Sequence, residues 1–335
     1  MTRTASAPPV VSAGQRTAGV VVAVIAGAAL AVQSRINGEL AVRLDDPIGA
    51  ALISFGSGLV VLALLVPALP AGRAGLAGLR AALREHRLSA WQLLGGMCGG
   101  FLVATQGLTV PTLGVAVFIV ALVAGQSSSS LLVDRAGVGP AGQQPVTAPR
   151  LAGAVLTVVA VLISVGDRIG HPSALALAIL PLLAGLGIAW QQAVNGHVRQ
   201  ASGSALVAGL VNFCTGTAVL LVAFAVSVLI RGLPGHLPHG PWWLYCGGLI
   251  GILFVAAGAA VVRYTGVLLL GLGMIAGQIT GALLLDVVAP GDAGRPGWNT
   301  IVGAVLTLVA VVVAVVKKDA GPARGEQRAG RATPG

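Results

Sequence analysis

Six side-chain amides stand where amides are costly. Gln33 and Asn37 lie four residues apart at the end of an apolar run, so a helix carries both on one face. Gln191 and Asn195 repeat that arrangement 158 residues later: Ala31-Val-Gln33-Ser-Arg35-Ile-Asn37-Gly38 returns as Ala189-Trp-Gln191-Gln-Ala-Val-Asn195-Gly196. Gln126 and Gln278 each follow a glycine inside two further apolar runs. A polar group left unpaired in hydrocarbon costs roughly 2–7 kcal/mol, so each amide must face protein, water or a solute. Two readings stand side by side. One is hydrogen bonding between helices, worth about 0.6 kcal/mol a bond. The other is the lining of a solute cavity, because amides both donate and accept and so suit polar or zwitterionic solutes. Their relation by an internal repeat favours the second, and the six are the candidate substrate-binding residues.

Four charged residues are candidates for coupling or gating. Arg35 and Glu39 are four apart, on a face different from that of Gln33 and Asn37. The base precedes the acid, which is the weaker order for a helical pair. They read as a pair at the outer membrane–water interface with snorkelling tips, or as an ion- or proton-linked gate, since an acid within a transmembrane helix is costly. Asp134 and Asp286 end two apolar runs, where the helix dipole disfavours an anion. Asp134 has Arg135 beside it for a local ion pair, Asp286 has no adjacent base, and a tight turn is the other reading for both. His236 and His239 share a proline-containing loop with no nearby carboxylate or cysteine, so no metal site is expected. No Gly-x-Ser-x-Gly elbow, His-Glu-x-x-His or P-loop occurs, and no buried nucleophile–base pair is apparent. Neither catalysis nor a cofactor is expected.

The elements that must hold these residues follow from composition. The chain is 56% hydrophobic and 9% charged, against roughly 25% charged in soluble domains. No soluble core could hide so much apolar sequence. Apolar runs of about 18 residues or more recur, each long enough to cross a bilayer as a helix. Ten are expected: 18–37, 47–69, 90–110, 112–133, 150–166, 173–194, 204–230, 242–262, 265–286 and 299–316. Stretches such as Gly58–Val66 and Val305–Val316 do not alternate as a membrane barrel would. Helices satisfy their own backbone in lipid, so a helical bundle is predicted. Cys98, Cys214 and Cys246 form no framework and read as small buried thiols. The first run resembles a signal peptide, but its repeat partner lies mid-chain, so it is read as a mature transmembrane helix.

The repeat runs to the end of the core. Phe55 falls on Phe213 and Gly58 on Gly216 at the first offset; Trp91 falls on Trp243, Gly125-Gln126 on Gly277-Gln278, and Asp134 on Asp286 at an offset of 152. Gly153-Ala-Val-Leu-Thr157 returns as Gly303-Ala-Val-Leu-Thr307. Each half thus holds about five helices. Five is odd, so tandem copies must sit upside down to one another. The expected organisation is a disordered tail over 1–16, one five-helix repeat over 17–166, a second over 167–316, and a basic disordered tail over 317–335. With both termini on one side, about fifteen basic residues fall there and about five on the other, which places both termini in the cytoplasm. The net charge of +10 is therefore a topology signal, and no nucleic-acid partner is expected. Paired glycines, including Gly95, Gly96, Gly99 and Gly100, mark close helix packing.

Val32-Gln33-Ser34-Arg35-Ile36-Asn37-Gly38, Pro47 to Gly58 with Phe55, Pro241-Trp242-Trp243-Leu-Tyr-Cys-Gly247-Gly248, and Gly277-Gln278 followed by Asp286 resemble the YdcZ-type branch of the drug/metabolite transporter (DMT) superfamily. The resemblance covers roughly residues 18–316. It implies an all-α, bacterial inner-membrane protein with inverted repeats around a central cavity, and leaves the substrate open. The halves differ at Glu39/His197 and Ser54/Asn212, which sets those positions outside a symmetric site. The expected function is transport of a small solute (a metabolite, amino acid or drug-like cation) by alternating access, with lipid around it. The Gly-Ala-Val-Leu-Thr helices are expected to serve packing or a homodimer contact. A non-transporting membrane partner or sensor is the alternative.

Overall fold

The computed structural model describes residues 12–140, 142–166, 172–232 and 240–315. Their regular elements are all helical. In chain order they are α1 (Ala13–Leu44), α2 (Pro47–Ala68), α3 (Pro70–Arg84), α4 (Gly96–Leu113), α5 (Val115–Ala136), α6 (Ala148–Ser164), α7 (Pro172–Ser202), α8 (Ala205–Arg231), α9 (Gly247–Val288) and α10 (Trp298–Val315). Short 3₁₀ turns lead into α4 and α9. Among the described residues seven helical segments are long and apolar enough to cross a membrane, and three shorter apolar ones accompany them. The expected C-terminal tail, the pair His236 and His239, and residues 1–11 of the N-terminal tail lie outside the described residues.

Several expectations change. The first helix begins at Ala13, inside the expected tail, because Ser12 and Gln15 form a reciprocal capping box. The Gln-x-x-x-Asn-Gly motifs do not end their helices: α1 runs on to Leu44 and α7 to Ser202. The segment carrying Arg73, Arg80 and Arg84 is a helix, α3, and not a plain loop. It buries Leu79 and Ala82 and keeps those arginines exposed. Its Gly75 rests against Ser202 and Ser204 at the α7–α8 turn.

The runs 242–262 and 265–286 are joined in α9, whose 42 residues would span about 63 Å if straight, twice a bilayer. Its two arms nevertheless lie on α1 in opposite senses. Gly247 and Gly251 face Asn37 and Gln33, whereas Gly273, Gly277 and Gly281 face Ala23, Val24 and Ala28. The first arm therefore runs against α1 and the second runs with it. Thr265, beside Gly19, lies at the end where the arms meet.

Glycine sets how closely these helices approach. Gly277 lies on the Val24 carbonyl and Gly27 on that of Met274. The repeat-related residues do the same: Gly125 lies on the Leu182 carbonyl and Gly185 on that of Leu122. Such contacts bring backbones together, with Cα–H···O attraction in place of side-chain packing. The relation recurs elsewhere. Gly58 meets the ring of Phe213 and Gly216 that of Phe55, and the two rings pack at a tilt of 35° with centroids 4.9 Å apart. Gly153 on α6 packs against Ala310 and Ala314, and Gly303 on α10 against Ala160 and Ser164. In each pair a residue of one half meets the other half at the position its counterpart predicts. Helix α5 is apolar and buried on all sides from Val115 to Gly125, which places it at the centre of the bundle.

Candidate functional site

A cavity of about 430 Å³ lies between α1, α2, α4, α5, α7, α8 and α9. Gln33, Gln126, Gln191, Asn195 and Gln278 line it, as do Phe55 and Phe213 at its apolar floor. Asn37 does not. The local helix geometry explains the placement: Gln191 and Asn195 share one face of α7, and Gly99 and Gly95 opposite leave room for their amides. In the other half Gly251 and Gly247 leave room for Gln33 and Asn37.

The hydrogen bonds divide the amides into two sets. Toward the C-terminal end of α1 they form a chain that leaves only Asn37 Oδ1 without a partner. Asn37 Nδ2 donates to Gln106 Oε1 at 2.7 Å, Gln106 Nε2 donates to Ser34 Oγ at 2.9 Å, and Ser34 Oγ donates to the Leu30 carbonyl at 2.9 Å. Ser34, Asn37 and Gln106 are all fully buried. Gln33 Nε2 donates to the Gly247 carbonyl at 2.8 Å. On the other side the bonding is sparse. Asn195 Nδ2 donates to Asn212 Oδ1 at 2.9 Å, and Gln126 Nε2 reaches Gln192 Oε1 at 3.4 Å. Gln191 Oε1, Asn195 Oδ1 and Gln278 Oε1 have no partner, although Gln278 is only 5% exposed. Unspent capacity of this kind is expensive in a closed core and useful in a binding site. The cavity continues past Asn195 and Gly196 to Arg199 and Ala205 at the α7–α8 turn, where Gln192 and Arg199 are exposed.

The charged residues find partners the sequence did not indicate. Arg35 pairs with Asp286, Nη2 to Oδ1 at 2.9 Å, and also donates to the Ala289 carbonyl at 2.9 Å. The expected Arg35–Glu39 pair does not form: Glu39 pairs with Arg43 one turn on, at 2.7 Å. There the two residues are partly exposed, where such a pair contributes about 0.3–0.5 kcal/mol. Asp286 accepts from the backbone N–H groups of Val115 at 3.2 Å and Ala116 at 2.8 Å. It ends α9 but sits at the positive end of α5, which resolves its unfavourable place at a helix C-terminus. The preceding residue, Gly114, has φ +80° and lies against the Asp286 carboxylate, so both backbone and contact require glycine there. Asp134 pairs with Arg150 of α6, not with its neighbour Arg135. His197, the counterpart of Glu39, bonds the Val138 carbonyl at 2.8 Å.

Sequence reasoning missed four polar residues here. Asn212 is set aside by its mismatch with Ser54, yet it lines the cavity and holds Asn195. Gln106 is an amide inside an apolar run, the same signal that marks Gln126. Gln192 and Arg199 follow from the face of α7 on which Gln191 and Asn195 lie. No cluster of three or more metal-binding side chains occurs among the described residues.

Membrane-length helices packed around a cavity with unspent amides make up a multi-pass membrane protein. The family described as "Putative inner membrane exporter, YdcZ" matches residues 18–163 and again 176–313, and the chain belongs to this YdcZ-type branch of the DMT superfamily. It is similar to the inner membrane protein YdcZ of Escherichia coli (strain K12). The two are 28% identical over 136 residues, which is 40% of this chain and 91% of that protein. That relative therefore has the length of one half of this chain. A solved crystal structure aligns over 91% of this chain and 97% of its own at 20% identity, with a TM-score of 0.48. The family and the apolar helices place the protein in the inner membrane.

Proposed function

We propose that the protein moves a small solute across the inner membrane by alternating access, with α1, α2, α4, α5 and α6 forming one five-segment repeat and α7, α8, the two arms of α9 and α10 a second of opposite orientation. The observation that carries this reading is the asymmetry of the cavity. Its Arg199 end is continuous with exposed residues, whereas its Arg35 end is shut by the Asn37–Gln106–Ser34 chain and, beyond it, by Arg35–Asp286. Repeat-related contacts support two packings of equal kind. In the second, the α7 end would close around Asn195 and Asn212 while the α1 end opened around Asn37 and Gln106. The excess of basic residues at the Arg199 end, α3 included, supports a cytoplasmic position for that end. The conformation described is then the inward-facing one.

In this account Gln33, Gln126, Gln191, Asn195 and Gln278 bind solute, Asn37 exchanges between lock and site, and Arg35 with Asp286 closes the outer end. Glu39 and Asp134 brace the ends of their helices. The α6–α10 pair supports packing, and its outer faces are free for a homodimer contact. Liposomes holding purified protein test the reading through solute-induced currents and fluxes across a panel of metabolites, amino acids and organic ions. Transport should fall at least about tenfold in the Asn37→Ala/Asn195→Ala double variant, with its thermal unfolding still cooperative. Equal transport by a folded double variant would sink the assignment of these amides. A stable complex with another membrane protein, without transport of any solute, would favour the partner or sensor reading.

A further inference from the structure

Arg80 and Arg84 of α3 are exposed and make no ion pair among the described residues. The sequence around them supplies no acid. Glu85 is the sole acid between Asp46 and Asp134, and it pairs with Arg87. The α7–α8 turn, on which α3 packs, adds none, since residues 168–285 contain neither Asp nor Glu. The helix is also held at the membrane boundary. α2 has 22 residues, about 33 Å of helix and the thickness of a hydrocarbon core. α3 follows it after Leu69 alone. The bend is sharp: Gly72 rests on the Val66 carbonyl, and Arg73 Nη1 donates to the Pro67 and Ala68 carbonyls at 3.0 and 3.2 Å. From there α3 reaches across to the α7–α8 turn, where Gly75 and Gly78 lie on Ser202, and Leu79 and Ala82 are buried. It therefore joins the ends of three spans at one level and lies along the surface. Arg73, Arg80 and Arg84, seven and four residues apart, share one side of it.

We propose that Arg80 and Arg84 bind the phosphate of an anionic phospholipid from the surrounding leaflet. A guanidinium fork suits a phosphate through paired, charge-assisted hydrogen bonds. A zwitterionic headgroup brings its own cation to the same place, and a free phosphate has no acyl chains to hold it there, so the site favours a lipid of net negative charge. Arg73 is engaged with the α2 carbonyls and fixes the bend. The apolar face of α3 stays on the α7–α8 turn, so a bound headgroup adds a contact that holds α3 in place. The inference concerns the membrane and stands apart from the identity or movement of any solute.

Thermal unfolding of the purified full-length protein in a neutral detergent tests it, with dioleoylphosphatidylglycerol, dioleoylphosphatidylcholine or inorganic phosphate added. Phosphatidylglycerol should raise the midpoint by about 4 °C or more beyond phosphatidylcholine, because a ligand of the folded state stabilises it. Without lipid, Arg80→Gln/Arg84→Gln should unfold within about 1 °C of the natural chain, since both side chains are exposed. With lipid it should lose at least about half of the phosphatidylglycerol effect. Arg80→Lys/Arg84→Lys keeps the charge and loses the fork, and should retain more of the effect than the Gln pair. Arg135→Gln/Arg231→Gln removes the same charge from exposed positions elsewhere and should keep the full effect. Equal midpoints in the two lipids overturn the proposal, as does a full effect in Arg80→Gln/Arg84→Gln. An equal loss in Arg135→Gln/Arg231→Gln would mean general surface charge, and inorganic phosphate reproducing the effect would mean a free-anion site. Either result overturns it as well.

Discussion

Gly277→Val should yield little folded protein, and Gly277→Ala should unfold far below the natural chain. At Gly277 the backbone of α9 rests on the Val24 carbonyl of α1, and an added Cβ would occupy the position of that oxygen. Neither backbone can yield locally, because both are helical on either side of the contact. The helices must separate, which also pulls apart Gln278 and Gln33 in the cavity. Overpacking of a core costs about 1–3 kcal/mol when side chains can adjust. Here they cannot, and the cost of Ala should lie at or above the top of that range. Gly271→Ala supplies the control. It lies on the same arm of α9 with nothing within 4 Å of its would-be Cβ, and Gly→Ala in a helix gains about 0.5–1 kcal/mol. The check is thermal unfolding in detergent beside the monodisperse fraction on gel filtration. Equal unfolding of Gly277→Ala and Gly271→Ala would show that α1 and α9 do not meet as described. Gly125→Ala should match Gly277→Ala, since its Cβ would fall on the Leu182 carbonyl.

Asp286→Ala should carry the second large effect. Asp286 is 3% exposed and accepts from the Arg35 guanidinium and from the N–H groups of Val115 and Ala116. Its loss leaves a partly buried cation and the first N–H groups of α5 without their acceptor. Removing one partner of a buried pair costs about 3–5 kcal/mol. The Arg35 side chain keeps 19% exposure and its bond to the Ala289 carbonyl, which moves the expectation to the lower end. Arg35→Gln alone should cost less than Asp286→Ala, because Asp286 keeps its two backbone donors. Arg35→Gln combined with Asp286→Asn should be more stable than the sum of the two single changes implies, measured as a double-mutant cycle. Strict additivity would show that the two residues are not coupled.

Much of the fold was legible in the sequence, for identifiable reasons. Matched residues such as Gly125 and Gly277, or Phe55 and Phe213, fixed the duplication, because a repeated contact surface needs repeated small and large residues. The apolar runs fixed the helices, since lipid leaves the backbone no alternative. Partner choice was not legible. Arg35 lies one helical turn from Glu39, and only the packing of α9 beside α1 brings Asp286, 251 positions away, within reach. The capping role of Asp286 likewise depends on the turn at Gly114. Helix α3 could have been read: Leu76, Leu79 and Leu83 recur at helical spacing beneath Arg73, Arg80 and Arg84. In the site, symmetry pointed to Gln191 and Asn195 and misled at Asn212. The cavity is less symmetric than the scaffold, and Ser54 at the counterpart position lies beside Gly247, outside the lining.

The central claim is that one cavity opens to each side of the membrane in turn. Single cysteines at Gly196 and at Gln106, placed in a chain whose Cys98, Cys214 and Cys246 are replaced by serine, test it most directly. Each is treated with a membrane-impermeant maleimide applied to one face of sealed vesicles at a time. Position 196 should react from the cytoplasmic face and position 106 from neither. With Asp286→Asn added, position 106 should become reactive from the opposite face while position 196 loses reactivity. Reaction of both positions from both faces together would describe a channel. Persistent silence of position 106 with the Arg35–Asp286 pair broken would contradict the account.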